Sequence, residues 1–233
     1  MTIADSGQPS RRFPGRAAVI GAAGGLGQSI LKICRAEGIA FTAIVRSRPE
    51  RIADVPPGSA VAVVTSLADR TGLASAFSGA DAVFAVLGTT STSNNRSSFL
   101  SENMETVEGA MADAGVDRIM LINTMVAAPP GNPMTRIMRF FSWMPGNVGR
   151  GAAEQQAVVD ALGNGAFSSL RWTLVRAGVN ARGKDEPPVA SADWAGAQNS
   201  WFPVSYDGMA LWMLEESVAN NFVCSAPLVS RRR

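Results

Sequence analysis

From Arg16 onward, short uninterrupted apolar runs alternate with stretches in which apolar residues recur every three or four positions. The runs are Arg16-Ala17-Ala18-Val19-Ile20, Phe41 to Val45, Val61 to Val64, Ala82 to Leu87, Ile119 to Ile122 and Trp172 to Val175. Their length and flanking glycines predict strands, and their lack of polar alternation predicts strands covered on both faces, as in a parallel sheet. Between them, Leu26, Ile30 and Ile33 predict a helix to about Glu37 with Gly38 as its C-cap. A short helix is expected around Leu73 to Phe77, and Leu100, Met104, Val107 and Met111 place another over about Ser98 to Ala114. Strand and helix in regular alternation read as an α/β fold, a doubly wound parallel sheet of the Rossmann-like kind.

The texture changes after Asn123. A Pro129-Pro130-Gly131 loop leads into Met134, Met138, Phe140, Phe141, Trp143 and Met144, and a helix is expected over Ala152 to Leu162. Residues 177–202 read as irregular, with Pro187-Pro188, Trp194 and Trp201. A last helix runs from about Tyr206 to Glu216 with Ser205 as its N-cap, and Phe222-Val223-Cys224 reads as a final strand. Residues 1–14, polar and aperiodic, read as a disordered leader. Residues 15–230 then form a single domain in which 125–150 and 177–204 make a small C-terminal substrate lobe. At the carboxyl ends of the strands, the lobe's aromatic and methionine side chains, with Trp194 and Trp201, would line a pocket for a flat or apolar ligand; ordinary core, or a membrane- or partner-facing patch, is the alternative.

Composition matters chiefly by what it lacks. The 233 residues include 0 histidines and 1 tyrosine, and Lys32 and Lys184 are the only lysines among 21 basic residues. No Ser-His-Asp or Cys-His pair can form, and neither can a zinc site with a histidine ligand or a four-cysteine site. A Tyr-x-x-x-Lys dyad built on Tyr206 would need lysine at 210, where Ala210 stands. The net charge of +2, with three arginines in the terminal Arg231-Arg232-Arg233, argues against a nucleic-acid partner. No apolar stretch is long enough for a membrane span, and the polar first residues contain no secretory h-region, so neither a membrane partner nor export is expected. Cys34 and Cys224, far apart in sequence, read as buried fillers and fit a reducing cytoplasm.

The chemistry concentrates after the first strand, in Gly21-Ala22-Ala23-Gly24-Gly25-Leu26-Gly27. Glycines at 21, 24 and 27 suit a sharp strand-to-helix turn, close approach of backbone to a pyrophosphate and tight helix packing. The helix N-terminus adds unpaired N–H groups and the positive end of a dipole. The second strand ends in Val45-Arg46-Ser47-Arg48 without the acidic residue that would meet a ribose 2′-hydroxyl. Guanidiniums at Arg46 and Arg48 suit a 2′-phosphate, which favours NADP(H) over NAD(H); a solvated basic loop is the alternative.

These segments, with Ala82 to Gly88, Trp172 to Arg176 and Ser205 to Ala210, resemble the atypical short-chain dehydrogenase/reductases, in particular their NmrA-like and biliverdin reductase B-like branch. The resemblance implies that Gly21, Gly24 and Gly27 form the pyrophosphate loop, with Ala22, Ala23, Gly25 and Leu26 lending amides. It places Arg46 at the 2′-phosphate, and Leu87 and Gly88 beside the adenine ribose and diphosphate. Thr124 stands near the family's active-site serine with Asn123 before it, and Ala177-Gly178 lies near the nicotinamide. Two departures stand out. Thr65-Ser66 replaces the family's Gly-Asp, leaving Ser66 for the adenine, and the dyad segment falls at Pro145 to Gly151, which holds neither Tyr nor Lys.

The expected activity is therefore an NADPH-dependent reduction of a small apolar carbonyl or conjugated compound without the dyad. Thr124 would hydrogen-bond a carbonyl oxygen and Asn123 would position it, as electrostatic support rather than strong acid catalysis; both could equally satisfy turn backbone. Arg150 and Glu154 read as surface residues at a helix start. A non-redox cyclase or isomerase on the same scaffold, or a non-catalytic NADP(H) sensor with a partner-binding surface, are the other functions the sequence allows.

Overall fold

The computed structural model describes residues 12–87, 100–184, 186–192 and 202–231, and the side chains of 181, 182 and 184 are not among them. Gly88, Trp194 and Trp201 lie outside the described residues. In chain order the elements are β1 (Arg16–Ile20), α1 (Gly25–Glu37), β2 (Ala40–Val45), β3 (Ala60–Val63), α2 (Arg70–Phe77), β4 (Ala82–Ala85), α3 (Met104–Ala114), β5 (Arg118–Thr124), α4 (Arg136–Trp143), α5 (Gly146–Gly163), β6 (Arg171–Ala177), β7 (Val179–Lys184), β8 (Pro188–Ser191), α6 (Tyr206–Ala219) and β9 (Leu228–Arg231).

Eight strands form one sheet in the order β3-β2-β1-β4-β5-β6-β9-β8, parallel throughout except for the antiparallel β8–β9 pair. The expected doubly wound α/β fold is therefore present. The two-sided burial inferred from the apolar runs is visible residue by residue. In β1, Ala18 and Ile20 face a core shared with α2, α3 and α5, while Ala17 and Val19 face a core shared with α1 and α6. In β4, Val83 and Ala85 face the first core, and Ala82 and Phe84 the second. Such strands have no solvent face on which polar residues could alternate.

The chain runs β1, β2, β3 outward to one edge, then crosses back to place β4 on the other side of β1. This reversal opens a crevice beyond the carboxyl ends of β1 and β4, where open α/β sheets take their ligands.

Several elements differ from the sequence reading. Residues 12–14 of the expected leader belong to the fold: Pro14 is buried, Phe13 packs on the α1–α6 core, and Arg12 Nε donates to Glu215 Oε1 at 2.8 Å; residues 1–11 lie outside the described residues. The helix expected from Ser98 begins at Met104, although Leu100 keeps its buried place in the same apolar row. The stretch after Pro133 contains a whole extra helix, α4, capped by Thr135 Oγ1 accepting from Met138 N at 3.0 Å. Helix α5 starts six residues before the expected Ala152. Glycines hide that start: a Cβ on Gly149 would lie 1.8 Å from Met144 O, so the close pass of α4's end requires a poor helix former inside α5. Residues 188–191, expected to be irregular, complete the sheet as an edge strand. The last strand is β9 rather than Phe222–Cys224. Those residues turn beneath β6, where Thr173 Oγ1 donates to Phe222 O, and Cys224, expected to be buried, is exposed.

Candidate functional site: a glycine cradle at the carboxyl edge of the sheet

Helix α1 begins where its own backbone leaves a cradle. Gly21 sits at φ +84, a region that glycine alone adopts freely, and a Cβ there would stand 2.8 Å from Val86 O. Gly24 N donates to Gly21 O at 2.9 Å and closes the turn. A Cβ on Gly27 would come 2.4 Å from Gly21 O and 2.7 Å from Ala22 Cα, so the helix can lie this close to the loop only with glycine at 27. The N-cap is Gly24, which has no side chain to satisfy the first turn, and that turn contains no acidic residue. The amides of Gly25, Leu26 and Gly27 are thus left for an anion beyond the helix end. Ala22, expected to lend its amide, spends it within the fold: Gly21 N and Ala22 N both donate to Ile44 O, at 3.3 and 3.4 Å.

Around this cradle the structure gathers several of the expected residues. Leu87 lies half-buried beside it, with its Cδ2 3.4 Å from where a Cβ on Gly21 would stand. Arg46 and Arg48 follow β2, the neighbour of β1, and both are exposed; Arg48 takes φ +59 to start the turn Pro49–Arg51. Ser66 follows β3, and its hydroxyl accepts from Ala68 N at 3.1 Å. On the other side of β4, Thr124 is the register partner of Ala177, and a Cβ on Gly178 would meet Met125 Sδ at 2.9 Å. Thr124, Ala177 and Gly178 therefore form one cluster at the ends of β5 and β6. It lies about 10–15 Å from β1 at the usual strand spacing of about 4.8 Å.

Thr124 and Asn123 play different parts. Asn123 is buried; its Nδ2 donates to Gln155 O in α5 at 3.0 Å and its Oδ1 accepts from Thr124 N at 2.7 Å. Its side chain fixes the strand end against α5. The Thr124 hydroxyl accepts a long 3.5 Å bond from Val126 N and is half-buried at the crevice. Glu154, one residue before Gln155, accepts from both the backbone N and the hydroxyl of Ser101, which pins the chain ahead of α3 to α5.

The sequence reading missed what the single tyrosine and one of the two lysines do. The Tyr206 ring lies where a Cβ on Gly25 would go, with Cε2 2.6 Å from that point. Next to it, Asp207 accepts from Ser29 Oγ and Lys32 Nζ, both at 2.5 Å, and these bonds hold its carboxyl below the usual carboxylate range, Lys32 contributing most. Tyr206 and Lys32 thus dock α6 on the first turns of α1, beside the cradle. Only long-range packing brings them there, and nothing in their spacing shows it. Among the described residues the expected aromatic side chains do not enclose a pocket: Met138 is buried, but Phe140 and Trp143 are 60% and 85% exposed. A groove of about 390 Å³ between Pro129–Gly131, Trp172 and Cys224–Ala226 opens near the amino end of β6, the end away from Ala177.

Among the described residues no cluster of potential metal ligands occurs, and no helix is long and apolar enough to cross a membrane.

Comparison with known proteins agrees with this geometry. No curated protein matches the chain. Its fold is similar to a short-chain dehydrogenase/reductase from Veillonella parvula in complex with NADP (17% identity, 94% of this chain and 95% of that one, TM-score 0.66). It is also similar to a Rossmann-fold NAD(P)-binding family protein from Shigella flexneri (16%, 93% and 93%, 0.62) and an oxidoreductase from Lactococcus lactis (16%, 94% and 91%, 0.63). At such identities the likeness is one of fold. The family described as NAD(P)H-binding matches residues 21–199, from the first glycine of the cradle to beyond the cluster at Thr124 and Ala177. The chain therefore belongs to the NAD(P)H-binding family, and the atypical short-chain dehydrogenase/reductase reading fits that membership.

Proposed function

We propose that the protein is an NADPH-dependent reductase of a small apolar carbonyl or conjugated compound, working without a Tyr-x-x-x-Lys dyad. The observation that carries the reading is the cradle. Three amides are open at the start of α1, no side chain caps them, and two positions reject a Cβ by contact with backbone. Such a surface fits a pyrophosphate. Arg46 and Arg48 beyond the end of β2, with no carboxylate before Glu50, favour a 2′-phosphate and hence NADP(H) over NAD(H). The Tyr206 hydroxyl, with no partner among the described residues, suits a phosphate oxygen beside Gly25. Ser66 and Leu87 would flank the adenosine half, and Gly88 is assigned to that half from sequence alone.

A reduced nicotinamide, when bound, supplies the hydride. The chain's own work is orientation and electrostatics. Ala177 and Gly178 leave room at the end of β6, where a larger side chain at 178 would strike Met125. Asn123 acts as a positioning residue, holding the end of β5 through Thr124 N and Gln155 O. Thr124, whose hydroxyl donates to no acceptor among the described residues, would hold a carbonyl oxygen. A threonine hydroxyl is too weak an acid to supply the proton outright, so that proton comes from water or from the substrate. The free thiols Cys34 and Cys224 fit a cytoplasmic location.

The test combines binding with turnover. Arg46→Ala should weaken NADPH by about 1–3 kcal/mol through loss of a charge-assisted pair, and leave NADH nearly unchanged, by calorimetric titration. Equal losses for both would remove the 2′-phosphate assignment. NADPH oxidation against a panel of ketones, quinones and enones should find a substrate. Tight NADPH binding with no turnover across the panel would turn the reading to a sensor, and turnover without NADPH consumption to a cyclase or isomerase.

A further inference from the structure

We propose that α4 docks the protein on an anionic lipid surface. The helix carries its apolar residues on the wrong side for a core. Ile137, Phe140 and Trp143 are 44%, 60% and 85% exposed, while Met138 is the one residue of the helix fully buried. At 3.6 residues per turn, Arg139, Trp143, Arg136, Phe140 and Ile137 follow one another across an outward arc of about 160°. The inward side is closed and satisfied. Thr135 caps the first turn, Ser142 Oγ donates to Met138 O at 2.9 Å, and the Phe140 ring rests on Phe141 with centroids 5.9 Å apart. The outward face is therefore a firm ridge of aromatic and aliphatic groups interleaved with guanidiniums. Val148, 50% exposed, and the exposed Arg150 follow in the first turns of α5.

Charge selects the occupant. From Arg118 to Ala153 the sequence has no Asp or Glu, so arginines at 136, 139 and 150 meet no acidic residue within the segment. A second copy of the same face would set arginine against arginine. A protein partner needs roughly 1,000 Å² of buried surface, and an eight-residue ridge about 12 Å long offers much less. A bilayer needs only a shallow convex wedge. Aromatic rings enter at headgroup depth while arginine stems lie along the apolar boundary and their heads reach anionic phosphates. The absence of a membrane partner expected from the sequence rested on spanning segments alone; α4 is far too short to span and would lie in the interface. The inference is independent of the reductase reading.

The full chain should sediment with vesicles of phosphatidylglycerol and phosphatidylcholine mixed equally, only weakly with pure phosphatidylcholine, and less as salt rises. Phe140→Ser with Trp143→Ser, and separately Arg136→Gln with Arg139→Gln, should each lower partitioning about tenfold at unchanged melting temperature. Should either pair disturb folding, Trp143→Phe provides the second reading: brominated lipid should quench the wild-type emission and quench this variant less. Absent or lipid-independent sedimentation overturns the proposal, as does partitioning that survives both pairs. A concentration-dependent dimer abolished by the Phe140/Trp143 pair would also overturn it, in favour of a second copy.

Discussion

Glycine 27 and glycine 25 sit two residues apart in the cradle, yet substitutions there should behave differently. A methyl at 27 would strike Gly21 O and Ala22 Cα, both backbone atoms of the loop itself. Relief requires the loop to move, so Gly27→Ala should cost about 1–3 kcal/mol of stability and at least about tenfold in NADPH affinity. A methyl at 25 would meet the ring of Tyr206, a side chain that can swing aside. Gly25→Ala should therefore be milder, and adding Tyr206→Ala should relieve the clash and cost less stability than the two single changes summed, without regaining NADPH affinity. Denaturant unfolding with NADPH titration of Gly27→Ala, Gly25→Ala, Tyr206→Ala and the Gly25/Tyr206 pair decides this. Wild-type affinity in Gly27→Ala would show that the loop is not the phosphate cradle. The glycine pattern was readable from sequence because the constraint is local: a turn that needs φ > 0 and a helix that packs too closely on its own loop to admit a Cβ at 27. What faces Gly25 was not readable, because Tyr206 arrives through a fold closure spanning most of the chain.

Elements divide along the same line. Strands β1, β2 and β4 to β6 were legible because a strand buried on both faces must be continuously apolar; β3, an edge strand with exposed Ala60 and Val63, showed only as a short run of Ala and Val. Helices α1 and α6 were legible from spacing and caps: Gly38 takes φ +69, and Ser205 Oγ accepts from Gly208 N at 2.9 Å. Helix α4 was not, because its apolar residues point outward and imitate the composition of a core. The α1–α6 junction leads to a prediction at this scale. Asp207 is held below its ordinary value near 3.8 by Lys32 and Ser29. Below that value the unfolded chain takes up the proton first, so the stabilisation present at neutral pH is lost as pH falls through the folded value. Asp207→Asn should lower stability at pH 7 and flatten its dependence below about pH 4. Because Asp207 is partly exposed, the effect should be about 1 kcal/mol or less. Melting curves that keep the wild-type acid slope in the variant would show that another carboxylate sets it.

Across the whole molecule, the missing histidines act on stability as well as on chemistry. No side chain has an ordinary pKa between the carboxylates and the thiols, so the unfolding free energy should be nearly level from about pH 6 to 8. The first group to break that plateau is Cys34. It is wholly buried in α1, and burial pushes its thiol up from an ordinary 9.0 to about 12. Above pH 9 the unfolded chain loses this proton while the folded chain keeps it, so stability falls by up to about 1.4 kcal/mol per pH unit. Two buried guanidiniums oppose the fall. Arg118 donates to Arg171 O at 2.7 Å and lies 3.8 Å from the buried Glu216, and Arg176 donates to Ala226 O and Ala127 O at 2.8 and 3.1 Å. Burial lowers both from 12.5 to about 10, so above pH 10 the unfolded chain holds more protons at these sites, which favours the folded state. The fall should thus be confined to a narrow window. Urea unfolding should show a loss of about 1 kcal/mol between pH 9 and 10, with the slope easing beyond. Cys34→Ala leaves a cavity and lowers stability overall, but it removes the group responsible for the slope, and its curve should stay level through pH 10. A variant that keeps the wild-type slope would show that the alkaline weakness lies elsewhere than in the first helix of the nucleotide cradle.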